Sequence, residues 1–205
     1  MKGMAAALAA LALCGCSVYR EATTTRLNTD NGWRPLITGE DADRLRTWRK
    51  AWDEALPEAR EADAAAIAAE GALFEPDQAQ AKAMPPAGDY RCRIFKLGSQ
   101  HPLVKGFTAY PWGRCRVGAG GEVEAYDKLD GLQRPHGLVF QNVDARSVFL
   151  GTLVLGDETA ALRYGIDDTR DMVGYIERVA DARWRLVLPY PHFESILDVI
   201  ELVPA

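Results

Sequence analysis

GDYRCRIF, Gly88 to Phe95, sets Tyr90, Cys92 and Ile94 on one face of an extended chain and Arg91 and Arg93 on the other. A period of two marks a half-buried strand. GRCRV, Gly113 to Val117, repeats the pattern after the turn-like GSQHPLVKG. A hairpin that places Cys92 opposite Cys115, Tyr90 opposite Val117 and Ile94 opposite Gly113 gathers the apolar side chains on one face. It also turns Arg91, Arg93, Arg114 and Arg116 out of the other, where like charges across a ladder repel and require partners. A three-residue loop in the GAGG that follows pairs Val117 with Val123, Cys115 with Ala125, Arg116 with Glu124 and Arg114 with Tyr126. In that register Glu124 and Tyr126 are partners for two of the arginines.

Beyond Pro85-Pro86-Ala87-Gly88 the chain reads as short apolar runs parted by turns, at 89–97, 107–117, 123–130, 136–141, 147–155, 161–164, 171–179, 183–189 and 196–203. The run at 161–164 reads equally well as a turn, which leaves eight. Strands with no helices between them pair antiparallel, and eight close a small up-and-down barrel; a β-sandwich is the alternative. Trp184, Leu186, Leu188, Val148 and Leu150 are expected to fill the interior.

Upstream the period changes. Thr38 with Asp41 resembles a capping box, and Leu45, Trp48, Trp52 and Leu56 follow at helical spacing. Pro57 suits the first turn of a second helix, continued by the Ala-rich EAREADAAAIAAEGALF. The fold class is therefore α+β: a helical hairpin over 38–75, a linker over 76–87 and an antiparallel, lipocalin-like β-domain over 88–205.

Before the helices lies MKGMAAALAALALCGCS, with one lysine and an apolar run from Met4 to Leu13 too short to span a bilayer. It has the size of a signal-peptide core, and Leu13-Cys14-Gly15-Cys16 resembles a lipobox in which Cys16 becomes the lipidated first residue of the mature chain. The expected order is a lipoprotein signal peptide at 1–15 and a polar tether at 16–37, from which Trp33 docks on the domain. Ser17 after the cysteine points to an outer-membrane lipoprotein facing the periplasm. Cleavage after Ala10-Leu11-Ala12 would instead yield a soluble periplasmic protein, and no cleavage a hydrophobic tail. The 205-residue chain is 48% hydrophobic and 26% charged with a net charge of -5, which offers no basic footprint for nucleic acid.

In an oxidising compartment Cys92 and Cys115 are expected to form a disulfide, with buried thiols, metal or redox use as alternatives. No metal site and no cofactor are expected, because His101, His136 and His192 stand singly. GIDDTRD, with Asp167, Asp168 and Asp171, lacks the pattern of a calcium loop. Glu194 and Asp198 are near neighbours, but paired carboxylates act on a glycosidic bond only if they share a cleft. No Gly-x-Ser-x-Gly elbow surrounds Ser147 or Ser195.

The blocks Gly88 to Arg93, FLGTL at Phe149 to Leu153, RWRLVLP at Arg183 to Pro189 and FESILDVIELVP at Phe193 to Pro204 resemble the envelope-protein family known as domain of unknown function 4893. That resemblance runs from about Leu36 onward and implies one globular unit of helices then strands, with no catalytic residue to transfer. The expectation is a non-enzymatic envelope lipoprotein, binding or structural at the periplasmic face of a membrane. Its partners are the membrane itself and an anionic envelope component at Arg91, Arg93, Arg114 and Arg116, or an envelope protein. A small-ligand-binding barrel and an inhibitor of an envelope hydrolase, acting through its tether or the LPYPHF loop, are the alternatives.

Overall fold

The computed structural model describes residues 32–118 and 123–205. Cys16, the signal-peptide and tether readings up to residue 31, and most of the GAGG turn lie outside the described residues.

Thr38 caps the first helix, α1 (Gly39–Arg46), its hydroxyl accepting from the Asp41 amide at 3.2 Å. The chain bends at Thr47 and continues as α2 (Trp48–Ala69), then a 3-10 turn at Gly71–Phe74. Pro57 lies inside α2 rather than at a helix start. Ala55, Leu56 and Ala59 bury one face on both sides of it, and that packing outweighs the ~3 kcal/mol cost of an interior proline. The interruption falls at Asp63 (φ -158°, ψ 82°), whose carboxylate caps the Ala66 amide at 2.9 Å and starts the last turns.

Nine strands follow: β1 (Gly88–Leu97), β2 (Phe107–Ala109), β3 (Gly113–Val117), β4 (Val123–Lys128), β5 (Gln133–Val143), β6 (Arg146–Leu155), β7 (Asp171–Ala180), β8 (Arg183–Pro189) and β9 (Leu197–Pro204). From β3 to β9 each strand pairs antiparallel with the next, and β1 pairs with both β3 and β9. The result is a closed eight-stranded antiparallel barrel, with β2 as an extra strand on the β3 side of β1. Closure removes the sheet edges that an open meander exposes. Residues 161–164 form no strand.

Two registers differ from the sequence reading. Tyr90, not Cys92, faces Cys115, and Cys92 faces Gly113, so the hairpin is shifted by two residues and its faces are preserved. Cys92 and Cys115 join diagonally as a disulfide with Cα atoms 5.8 Å apart. The β1–β2 pairing sets Phe95 opposite Ala109, and the Tyr110 amide donates to the Ile94 carbonyl at 2.9 Å. Arg93 is thus left facing both Pro111 and Trp112, a bulge that splits the predicted 107–117 strand in two.

Between β3 and β4 the shift is three residues, Val117 facing Tyr126, and an odd shift exchanges the faces of β4. Glu124 and Tyr126 therefore point into the barrel and partner no arginine. Burial of the Tyr126 ring, set edge-on to Phe149 at 5.7 Å and touching Cys115 Sγ through its hydroxyl at 3.2 Å, favours this register over one that buries the smaller Val123 and Ala125.

The interior core includes Tyr90, Cys92, Cys115, Tyr126, Phe149, Trp184, Leu186 and Leu188. Val148 and Leu150 do not belong to it. They face outward beneath α1, packed with Leu45, Phe140 and Val173. On the adjoining wall Trp52, Ala55 and Leu56 of α2 cover Phe95, Val187, Leu197 and Val199. Trp33 docks against the α1 cluster, its indole donating to Asn142 at 3.3 Å.

A buried ion pair locks the helices to the barrel. Arg185 and Glu177, both fully buried, meet at 2.6 Å. The same guanidinium donates to the carbonyls of Ala72, Leu73, Glu75 and Pro76 and lies 5.1 Å from the Trp52 ring centroid.

Candidate functional site

The two barrel ends are built differently. One is closed by residues 80–86, which the sequence reading treats as linker. The Gln80 amide donates to the Arg178 carbonyl at 2.8 Å, the Ala83 amide to Asp144 at 2.9 Å, and the Tyr90 hydroxyl to the Pro86 carbonyl at 2.6 Å. Met84 packs on the interior core. Glu124 lies buried in the interior with Oε2 unpartnered among the described residues, and burial raises its carboxyl above the ordinary range.

The other end carries the polar chemistry. Lys96 and Asp198 share the inward parity of Ile94 and Ile200, and pair at 3.1 Å just inside the mouth. Lys96 also reaches Glu194 at 3.3 Å, and the Ser195 hydroxyl donates to Asp198. Burial alone would lower the Lys96 ammonium. The two carboxylates outweigh it and hold the group above the ordinary lysine value. Burial pushes Asp198 upward, opposed by Lys96 and Ser195.

Glu194 and Asp198 are thus brought together, with a lysine between them. The loop that carries them folds over the mouth. Tyr190 and Glu194 hold left-handed backbone (φ 47° and 70°), a conformation that costs a non-glycine residue energy and is fixed here by tertiary bonds. Arg44 donates to the Tyr190 carbonyl at 3.1 Å, and Gln100 holds the loop through its amide to Glu194 O at 2.9 Å and its side chain to Ser195 O at 2.6 Å. The LPYPHF segment is therefore packed onto the barrel, with Phe193 37% exposed.

Beneath that loop the barrel is full. The void lined by Ile94, Leu153, Met172, Leu188 and Ile200 measures about 20 Å³, room for one water. Beside the loop lies a cleft of about 460 Å³. One wall is the bulge, Tyr110-Pro111-Trp112; the facing wall is the β4–β5 turn with Asp130 and Leu132; Ile94 and Glu194 line it as well. Leu132 is 78% exposed, a large apolar side chain in water at the cleft edge. The charged groups of the cleft are paired: Lys128 donates to Asp130 at 2.8 Å, and Glu194 meets Lys96.

Trp112 joins the cleft to the arginine face. Arg91 lies 4.6 Å and Arg93 4.5 Å from its ring centroid, within the range of cation–π attraction. The four arginines of the twin motif are partnered unequally. Arg93 binds Glu201 and Glu70, each at 2.6 Å, and Arg116 binds Asp89 at 2.6 Å. Arg114 stands directly opposite Arg91, is largely exposed and approaches Asp130 at only 3.6 Å. Arg91 has no carboxylate partner among the described residues.

In GIDDTRD the acids serve the turn itself: Asp167 accepts from Thr169, and Asp171 from the Gly165 amide at 3.0 Å. Among the described residues no group of three or more His, Cys, Asp or Glu is arranged to hold a metal ion.

A packed, closed antiparallel barrel clasped by two helices, with an apolar cleft at one end, defines the class. The chain belongs to the family described as "Domain of unknown function (DUF4893)", whose model matches residues 33–202. No curated protein and no solved structure matches it.

Proposed function

We propose that this protein is a non-catalytic, ligand-binding lipoprotein of the bacterial cell envelope, anchored through acyl chains on Cys16 at the periplasmic face of the outer membrane. The observation that carries the binding role is the cleft of about 460 Å³ beside a void, under the β8–β9 loop, with room for one water. Concave, mostly apolar surface with a few polar groups is what small-molecule sites are made of. The titratable groups around it neutralise one another in fixed pairs, which suits a rigid binding wall better than proton transfer. The disulfide fits an oxidising compartment, and Leu13-Cys14-Gly15-Cys16 fits lipidation.

The test is made on protein purified from membranes. Its intact mass is expected to correspond to cleavage before Cys16 plus lipid, and solvent extraction is expected to release a stoichiometric small molecule that a Leu132→Asp variant has lost. An unlipidated mature chain overturns the anchor. A wild-type protein that yields no more small molecule than the variant overturns the binding role.

A further inference from the structure

We propose that the ligand is a single apolar chain bearing an anionic head, with the chain lying in the cleft and the head held by Arg91 and Arg114. This rests on the cleft being a binding site, and adds which chemistry it takes. Two independent features converge at Trp112. The cleft walls, Tyr110, Pro111, Trp112, Leu132 and Ile94, are apolar, while its carboxylates Asp130 and Glu194 are already paired with Lys128 and Lys96. Nothing there calls for a cationic ligand.

Immediately outside, Arg91 lies 4.6 Å from the ring centroid of Trp112, and Arg114 follows Gly113 of the cleft wall and faces Arg91 across the β1–β3 ladder. Two arginines paired across a ladder repel, Arg114 is only loosely drawn to Asp130 at 3.6 Å, and one anion between them removes that repulsion while gaining charge-assisted hydrogen bonds. Arg93, although it touches the same ring, is occupied by Glu201 and Glu70 and serves as scaffold. Carboxylate and phosphate heads share this chemistry.

The experiment uses the full chain with Cys16→Ala, so that no acyl chain of its own competes. Laurate, dodecyl phosphate, dodecyl maltoside and dodecyltrimethylammonium are titrated by calorimetry, each below its micelle-forming concentration. At least one anion is expected to bind about tenfold tighter than the maltoside at low salt, with the advantage shrinking as salt is raised. Which of the two is favoured assigns the head as carboxylate or phosphate.

Arg91→Gln with Arg114→Gln is expected to bring the anions down to the maltoside and leave the maltoside unchanged; both side chains are exposed, so the fold is kept. Arg91→Lys with Arg114→Lys is expected to restore part of the advantage, which a purely packing role would not do. Equal binding of all four heads, or anion binding indifferent to the arginines, overturns the head-group assignment while the cleft stands. Affinities unmoved by Leu132→Asp place the ligand elsewhere and overturn the inference. Binding of none overturns the cleft reading itself.

Discussion

Replacing Glu177 by Gln tests what holds the helices to the barrel. Glu177 is fully buried and accepts from Arg185 at 2.6 Å and from the half-buried Arg146. The substitution is nearly isosteric, so it opens no cavity and isolates the charge. Arg185, itself fully buried, keeps its carbonyl partners but loses its counter-ion. Burial already pulls the guanidinium below its ordinary value, and Glu177 is the main influence opposing that. Removing one member of a buried pair costs ~3–5 kcal/mol, because the remaining charge stays desolvated.

In a protein of this size that is a loss of about 6–20 °C in Tm, to be read by thermal and urea unfolding of the oxidised chain. Native-state hydrogen exchange should locate it, with protection lost first in the 3-10 turn whose carbonyls Arg185 holds. Adding Arg185→Met is expected to restore stability only in part, since the carbonyls of Ala72, Leu73, Glu75 and Pro76 then lose their donor. A Glu177→Gln cost below ~1 kcal/mol would show that the pair contributes no more than a surface ion pair and would refute the reasoning.

Replacing Cys92 and Cys115 by Ala removes a cross-link spanning 23 positions, a loss of roughly 3 kcal/mol in the chain-entropy treatment; urea midpoints equal to wild type would contradict it. Glu124→Gln should stabilise the fold at neutral pH. Its carboxyl is raised by burial, so the folded state binds the proton more tightly, and its contribution is full below the ordinary glutamate value and lost as pH rises through the raised one. The variant's stability should lack that downward slope, and parallel pH profiles would count against the assignment. Gly151→Ala should cost at least 1–3 kcal/mol, since the added carbon would lie 2.3 Å from the His136 carbonyl oxygen and 2.4 Å from the Phe149 ring; an unchanged Tm would refute that packing.

The candidate site was the least legible part of the chain. Glu194 and Asp198 are conspicuous in FESILD, but the lysine that joins them lies 102 positions from Asp198. The cleft takes one wall from the β2–β3 bulge, one from the β4–β5 turn and an edge from the β8–β9 loop, and closure of β1 on β9 brings them together. One signal was available: Tyr-Pro-Trp in the middle of an apparent strand, where proline removes a ladder donor and marks a bulge.

Local periodicity determined much by itself. Strand alternation, helical spacing after Thr38 and two cysteines on one face are properties of neighbours along the chain, and they were enough for the α+β barrel and its disulfide. Faces and registers were different. VFLGTLVL in β6 is apolar on both sides because the interior and α1 bury one face each, so alternation cannot tell Phe149 inside from Val148 and Leu150 outside. The register of β4, the strap at 80–86 and the inequality of the four arginines likewise depend on which distant surfaces meet. Those choices are made by burial and ion pairing across the closed barrel, and only the tertiary structure decides them.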